Sequence, residues 1–214
     1  MRDAVRRADW QTERTPVDYD RAVSFMEDKV RKIRELDEPD FVWLLEHPPL
    51  YTAGTSAKAE DMLDPAFPVY QTGRGGQYTY HGPGQRIAYV MMNLKPRGGD
   101  VRRYVHDLEE WVITALKTFD VKGERRPGRV GVWVAAKGSE AKIAAVGVRV
   151  RRWVTYHGVS INLDPDLSHY DGIVPCGIKG YGVTSLKALS VGASMQELDK
   201  ALFKSWDSIF GEKT

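Results

Sequence analysis

Two strand-like segments separated by only a few residues set the strongest limit on how this chain can fold. Lys142–Val150 and Tyr156–Leu163 each predict a strand, and a turn near Arg151 and Arg152 joins them. A connection this short cannot cross over to make a parallel pair, so the two strands must run antiparallel. The chain therefore contains a sheet with at least one antiparallel hairpin.

Helices are predicted on both sides of the strand-rich region. Apolar residues at helical spacing predict helices over Tyr19–Leu36 and Val101–Phe119, and a capping box predicts a third helix over Ser194–Phe210. The predicted N-caps are Asp18, Asp100 and Ser194, the last in a capping box with Glu197. Further strands are predicted over Phe41–Leu45, Arg86–Leu94 and Gly131–Val134. We expect an α+β fold, a single domain with a mixed or mostly antiparallel sheet and flanking helices.

Composition excludes several classes of protein. The chain has 214 residues, enough for one domain with a real core, with 42% hydrophobic and 28% charged residues. A net charge of +2 is too small to indicate nucleic-acid binding, and no apolar run is long enough to span a membrane. We expect residues 1–15 to be a loosely held polar arm and residues 16–214 to be the domain.

The chain has a single cysteine, Cys176, which lies between Pro175 and Gly177. A lone thiol cannot form an internal disulfide or join other cysteines around zinc, so it is a buried hydrophobic residue or a nucleophile. Composition alone favours burial. Pro175 fixes the backbone and Gly177 removes bulk, which suits a turn that presents a side chain to a substrate. We therefore favour the nucleophile. One cysteine and no apolar export signal also predict a reducing cytoplasmic location.

A second candidate is the glycine-rich segment Arg74–Gln85. It lacks the spacing of a phosphate-binding loop, but its glycines alternate with Tyr78, Tyr80 and His81. A merely flexible loop does not need so many aromatic groups, so we expect a backbone that approaches a ligand closely. The histidines show no zinc-ligand spacing, and we expect no catalytic metal.

Lys142 admits several interpretations. With Ser139 it forms Ser-x-x-Lys, the motif of penicillin-interacting enzymes, but the companion motifs are absent. Lys142 could also be an edge-strand lysine that prevents aggregation. A third possibility is a partner for Cys176, either favouring its thiolate or taking up its proton. Sequence spacing alone does not show that the two residues meet.

Several segments together resemble the signature blocks of the lipoyl(octanoyl) transferase family, in the same order and at similar separations. The segments are Arg74–Gln85, Ala141–Val148, Tyr156–Asn162 and Pro175–Ile178, with His47–Gly54 and Val183–Leu186 as further blocks. The likeness spans roughly residues 15–210. One departure is Ser160, where many relatives have alanine.

The resemblance implies the fold of the catalytic domains of biotin protein ligase and lipoate–protein ligase. It also implies a cytoplasmic acyltransferase that moves an octanoyl group from octanoyl-acyl carrier protein to a lysine of lipoyl domains. The implied acceptors are 2-oxo acid dehydrogenase components and the glycine-cleavage H protein. No cofactor is implied, because a thioester donor makes amide formation favourable without ATP.

By match to the family, Cys176 would carry the acyl thioester and Lys142 would tune it. The residues expected to line the acyl site are Arg74, Gly75, Gly76, Gln77, Tyr78, Thr79, Tyr80, His81, Ala145, Val146, Gly147, Gly158, Val159 and Ser160. Two alternatives stay open: an ATP-dependent lipoate ligase of the same fold, and a non-catalytic carrier-binding protein with a buried cysteine. An acidic carrier could dock on Arg149, Arg151 and Arg152, or on another basic face.

Overall fold

The computed structural model describes residues 8–136, 138–174 and 181–211. The α-helices in these ranges are α1 (Tyr19–Glu35), α2 (Val101–Lys117) and α3 (Met195–Phe210). The strands are β1 (Asp9–Thr12), β2 (Phe41–Leu45), β3 (Leu50–Ala53), β4 (Val69–Gln71), β5 (Tyr78–His81), β6 (Gln85–Met91), β7 (Glu124–Arg126), β8 (Arg129–Ala136), β9 (Ser139–Arg151), β10 (Val154–Asn162) and β11 (Gly182–Val183). Among these residues, no helix is both long and apolar enough to cross a membrane.

The described strands form two sheets. The larger sheet has the order β1-β2-β6-β10-β9-β8-β7, with β11 beside β9, and the smaller has the order β4-β3-β5. The pairs β1–β2, β9–β11 and β3–β4 are parallel, and the other pairs are antiparallel. Val154 pairs with Arg151 across the β9–β10 turn, so the predicted hairpin is confirmed. The α+β class with a mixed, mostly antiparallel sheet is confirmed as well.

The predicted helix starts are confirmed. The Asp18 side chain accepts the backbone N–H groups of Asp20 and Arg21 at the start of α1. Asp100 accepts the N–H of Arg103 at the start of α2. Ser194 and Glu197 form the expected reciprocal capping box of α3. Each cap satisfies backbone donors that the first helical turn leaves unpaired.

The larger sheet is covered by helices on both faces. In β6, Ala88 and Val90 pack in the core with α2 and α3, whereas Ile87, Tyr89 and Met91 pack in the core with α1. This alternation follows from the period of two in a strand. The result is a central strand that is buried along its whole length.

The expectation of a loosely held arm over residues 1–15 is wrong for residues 9–12, which form the edge strand β1. Asp9 pairs with Phe41 and Thr12 with Leu44 in parallel register. Trp10 packs edge-on against Trp206, with ring centroids 5.3 Å apart. Sequence patterning missed this strand because backbone pairing and one aromatic side chain hold it, with no alternation of apolar residues.

Candidate functional site

A cavity of about 350 Å³ lies over the central strands, on the side of the sheet that α1 covers. That volume falls within the range of small-ligand pockets, about 300–1,000 Å³. Its lining combines a few polar groups with small and apolar side chains. The lining residues are Tyr19, Ser56, Arg74, Gly76, Gln77, Tyr78, Thr79, His81, Ile87, Tyr89, Gly128, Arg129, Val130, Lys142, Ala145, Val146, Gly147, His157, Gly158, Val159 and Ser160.

Rows of small residues across three adjacent strands create the space in this cavity. In one row Gly158 lies between Tyr89 and Gly147, and in the next Ser160 lies between Ile87 and Ala145. Cross-strand partners share one face of a sheet, so each row presents two small residues to the cavity. A Cβ at Gly158 would overlap the carbonyl of Ala88, so glycine is required at this point.

An irregularity between β8 and β9 turns Lys142 toward the cavity. The register passes from Val132↔Ala144 to Trp133↔Lys142, which leaves Ile143 as an extra residue. Ile143 and Ala144 both pack in the core with α2 and α3. In a regular strand Lys142 would lie on the opposite face from Ala145, but one inserted residue reverses that alternation.

The Lys142 side chain is held in place although it lines a cavity. It is only 5% exposed. Its Nζ donates to the carbonyl oxygen of Val130 at 2.9 Å and lies 4.9 Å from the centre of the Trp133 ring. These contacts hold the Lys142 amine at the cavity wall.

Arg74 organises the glycine-rich segment. Its guanidinium donates to the carbonyl oxygens of Thr52, Gly75 and Gln77, each at 2.9 Å, and to the Thr52 hydroxyl at 2.7 Å. Gly75 donates its N–H to the carbonyl of Val148 in β9. The segment is therefore held in place as a wall of the cavity.

Three buried histidines are neutral: His81 and His157 line the cavity, and His47 lies next to His81. Desolvation lowers the pKa of His47 to about 4, of His81 to about 3 and of His157 to about 3. His47 Nδ1 donates to the Val17 carbonyl at 2.6 Å, so its Nε2 accepts from the Tyr89 hydroxyl at 2.7 Å. Among the described residues, no group of three or more His, Cys, Asp or Glu side chains could hold a metal ion.

Most of the residues predicted for the acyl site line this cavity, but Gly75 and Tyr80 do not. Gly75 contributes through its backbone, as described above. Tyr80 packs on the other side of β5 with Tyr51 and Tyr170, and its hydroxyl bonds to His169 Nδ1 at 2.8 Å. Alternation along β5 separates Tyr80 from Thr79 and His81, which the sequence block alone did not reveal.

The predicted nucleophile Cys176 lies outside the described residues, as do Pro175 and Gly177. The segments on both sides of residues 175–180 are described. Val174 donates its N–H to the Asp61 carbonyl at 2.8 Å. On the other side, Gly182 and Val183 pair with Ala141 and Lys142. Ser139 is exposed and three residues from Lys142 along a strand, so a Ser-Lys pair does not form.

Several lining residues were not predicted from the sequence. They are Tyr19, Ser56, Ile87, Tyr89, Gly128, Arg129, Val130 and His157. His157 directly precedes Gly158 in a block that the sequence did single out. Its φ of 63° is unusual for a residue other than glycine, and its Nε2 lies 3.5 Å from the Tyr19 hydroxyl. Ile87 and Tyr89 are two residues apart in a strand that the sequence predicts, so their shared face of the sheet could have been predicted.

Comparison with known proteins agrees with this architecture. The family model described as the lipoyl protein ligase A/B catalytic domain matches residues 18–207. An octanoyltransferase of Paramagnetospirillum magneticum is 60% identical over 205 residues, covering 95% of this chain and 97% of the relative. An octanoyltransferase of Rhodospirillum rubrum is also 60% identical over 205 residues, covering 95% of each chain.

A solved structure shows the same fold at low sequence identity. It comes from the archaeal lipoylation system of Thermoplasma acidophilum, which comprises a bi-partite lipoate protein ligase and its E2 lipoyl domain. The TM-score is 0.70 at 16% identity, with 97% of this chain and 84% of the other covered. The expected likeness to lipoate–protein ligases is confirmed. The chain belongs to the lipoyl protein ligase A/B catalytic domain family and, within it, to the octanoyltransferases, which are acyltransferases.

Proposed function

We propose that this chain transfers an octanoyl group from octanoyl-acyl carrier protein to the acceptor lysine of lipoyl domains, through a thioester on Cys176. The acceptors we propose are lipoyl domains of 2-oxo acid dehydrogenase complexes and the glycine-cleavage H protein. Lys142 is the residue that moves protons in both half-reactions.

One observation carries this proposal more than any other. A lysine amine is held at the wall of a cavity whose floor is made of Gly147, Gly158, Ala145 and Ser160. A floor of small residues leaves room for an unbranched acyl chain. The strand that carries Lys142 also pairs with β11, which begins six residues after Cys176 in the sequence.

The chemistry requires no cofactor. The Cys176 thiolate attacks the thioester carbonyl, the carrier thiolate leaves and takes up a proton, and octanoyl-Cys176 remains. The acceptor amine then attacks the new thioester, gives up a proton, and expels the Cys176 thiolate as the amide forms. Backbone N–H groups near Gly147 or Gly177 are candidate donors to the tetrahedral oxyanion.

His81 is a second candidate for the proton transfers. Its Nδ1 lies 2.7 Å from the Gln85 side-chain oxygen, which can only accept, so the ring proton is on Nδ1. The lone pair of Nε2 then faces the Thr52 hydroxyl at 3.5 Å. Because that contact is longer than an ordinary hydrogen bond, Nε2 keeps capacity to accept a hydrogen bond, but burial lowers the pKa of His81 to about 3 and makes it a weaker base than an ordinary imidazole.

Mass spectrometry of the intact protein tests the proposal. After mixing with octanoyl-acyl carrier protein and no ATP, we expect the mass to rise by one octanoyl group at Cys176. Adding a lipoyl domain should move that group to the acceptor lysine. Transfer that needs ATP and leaves Cys176 unmodified would favour a ligase, and binding without any acyl transfer would favour a carrier-binding protein.

Cys176→Ala separates covalent catalysis from binding. We expect the folded variant to form no acyl-enzyme and no product, while still binding the donor. Normal transfer by a folded Cys176→Ala protein would overturn the thioester route.

A further inference from the structure

A buried carboxylate, that of Glu109, and the amine of Lys142 bind the same peptide group, which joins Val130 to Gly131. Glu109 belongs to α2 and is only 7% exposed. Its Oε1 accepts the N–H of Gly131 at 2.8 Å. The carbonyl of the same peptide unit, that of Val130, accepts from Lys142 Nζ at 2.9 Å.

The geometry of a trans peptide places Glu109 and Lys142 at opposite ends of the Val130–Gly131 peptide group. The N–H and C=O of a trans peptide unit point in opposite directions, so Glu109 and Lys142 approach the Val130–Gly131 peptide from opposite sides. A carboxylate that accepts the N–H polarises the amide and strengthens the carbonyl oxygen as an acceptor. Both hydrogen bonds involve an ionisable side chain, and such bonds are the stronger ones when that side chain is charged.

The peptide at this point is tightly constrained. Gly131 has a φ of 116°, a conformation that favours glycine. A Cβ there would lie 2.6 Å from the Ala144 carbonyl oxygen and 3.3 Å from Cδ and Cε of Lys142. The Gly131 backbone is thus packed directly against the stem of the lysine, so a shift of this peptide displaces the amine.

We propose that Glu109 is a positioning residue for Lys142, acting through the Val130–Gly131 peptide group. Glu109 holds the peptide so that the Val130 carbonyl fixes the amine at the cavity wall. The inference rests on the proposed role of Lys142 in transfer.

Two substitutions and a neighbouring control test it. Glu109→Leu keeps a side chain of similar size but leaves the Gly131 N–H without its acceptor. Glu109→Gln keeps an acceptor that is neutral and therefore weaker. Glu110→Leu is the control, because Glu110 is the next residue of α2 and forms a half-buried ion pair with Arg125. We expect kcat to fall about 10- to 100-fold in Glu109→Leu, less in Glu109→Gln, and to stay within about twofold in Glu110→Leu. The donor KM should change less than kcat in each case.

A second readout does not depend on activity. Reductive methylation followed by peptide mass spectrometry measures how fast the Lys142 amine reacts with a small reagent. Loss of the anchor should raise that rate several-fold in Glu109→Leu, with Glu109→Gln between it and the parent protein. If Glu109→Leu does not fold, the rate in Glu109→Gln decides by itself. A Lys142 rate unchanged from the parent in the folded variants overturns the inference, whatever happens to kcat.

A Lys142→Ala variant keeps the two proposals apart. If it transfers octanoyl groups normally, Lys142 has no role in transfer and the proposed function needs revision. The methylation rate of Lys142 in the Glu109 variants still reports whether Glu109 holds the amine.

Discussion

The ring proton of His81 is fixed by Gln85, whose side-chain oxygen lies 2.7 Å from His81 Nδ1. The amide nitrogen of Gln85 donates to the Asn162 side-chain oxygen at 2.9 Å, which settles the orientation of the amide. His81 therefore presents an unprotonated Nε2 toward Thr52 at the cavity wall.

The first prediction concerns this tautomer. Nitrogen NMR of the protein near neutral pH should show His81 as the neutral, Nδ1-protonated form. In Gln85→Glu the adjacent carboxylate should raise the pKa of His81 from its depressed value, because an opposite charge favours the imidazolium. An Nε2-protonated ring in the parent protein would contradict the assignment.

The second prediction concerns stability at acid pH. Burial lowers the pKa of His47 to about 4, and that of His81 and His157 to about 3, from an ordinary value near 6.5. Below about pH 6.5 the unfolded chain therefore binds protons that the folded chain does not. The stability that these neutral rings contribute is complete above that pH and is lost as the pH falls.

Urea unfolding between about pH 7 and pH 5 measures this effect. Each such histidine lowers the free energy of unfolding by up to about 1.4 kcal/mol per pH unit. His47→Gln removes the titrating ring and keeps an acceptor for the Tyr89 hydroxyl, so it should reduce the slope of the free energy of unfolding against pH by the contribution of one histidine. A slope that is the same in the variant and the parent would show that His47 is not neutral in the fold.

The third prediction compares two glycines of the site. A Cβ at Gly147 would lie 3.0 Å from Cδ of Arg74, whose guanidinium is held by several hydrogen bonds and cannot retreat. Gly147→Ala should destabilise the protein by about 1–3 kcal/mol and impair octanoyl transfer. Gly75→Ala is the control, because its Cβ would meet nothing closer than the Val148 carbonyl at 3.7 Å. Equal effects of both changes on urea unfolding and transfer would contradict the crowding argument.

The fourth prediction concerns the amine of Lys142. Lys142→Arg keeps a positive charge, but a guanidinium does not deprotonate in proteins and so cannot act as a base. If Lys142 moves protons, turnover should fall on the order of 10²- to 10⁴-fold. Single-turnover rates for enzyme acylation and for transfer to a lipoyl domain would show which step is affected. Near-normal turnover would leave Lys142 only an electrostatic role.

The fifth prediction concerns the basic residues near the β9–β10 turn. Arg149, Arg151 and Arg152 are all exposed, and Arg149 also packs against Gly73 and lies over the ring of Tyr156 at 5.2 Å. If an acidic donor docks here, Arg151→Ala with Arg152→Ala should slow association and flatten its salt dependence without changing kcat. An unchanged kcat/KM at low salt would direct the search to Arg125, Arg126 and Arg129.

The sequence predicted the regular parts of the fold well because each had a local cause. Asp18 and Asp100 cap helices through short-range hydrogen bonds, and the β9–β10 turn is too short for any arrangement but a hairpin. The face of the sheet on which the Lys142 side chain lies was not predictable in this way. It depends on one extra residue, Ile143, in the pairing of β9 with β8, and no local pattern marks that irregularity.

The charge states around the cavity also lay beyond sequence patterning. His47, His81 and His157 are far apart in the chain and come together only when β5, β10 and the residues after β2 assemble. Their neutral form follows from burial, which spacing along the sequence does not report. Glu109 was missed for a related reason, because its partner is a backbone group of another element.

The edge strand β1 has a consequence for handling the protein. It covers one side of β2, whose five residues are all buried. Removing the chain up to Thr12 would leave those N–H and C=O groups and their apolar side chains as an open template for strands of other molecules. A version shortened at this end would be prone to self-association and precipitation even with its cavity intact.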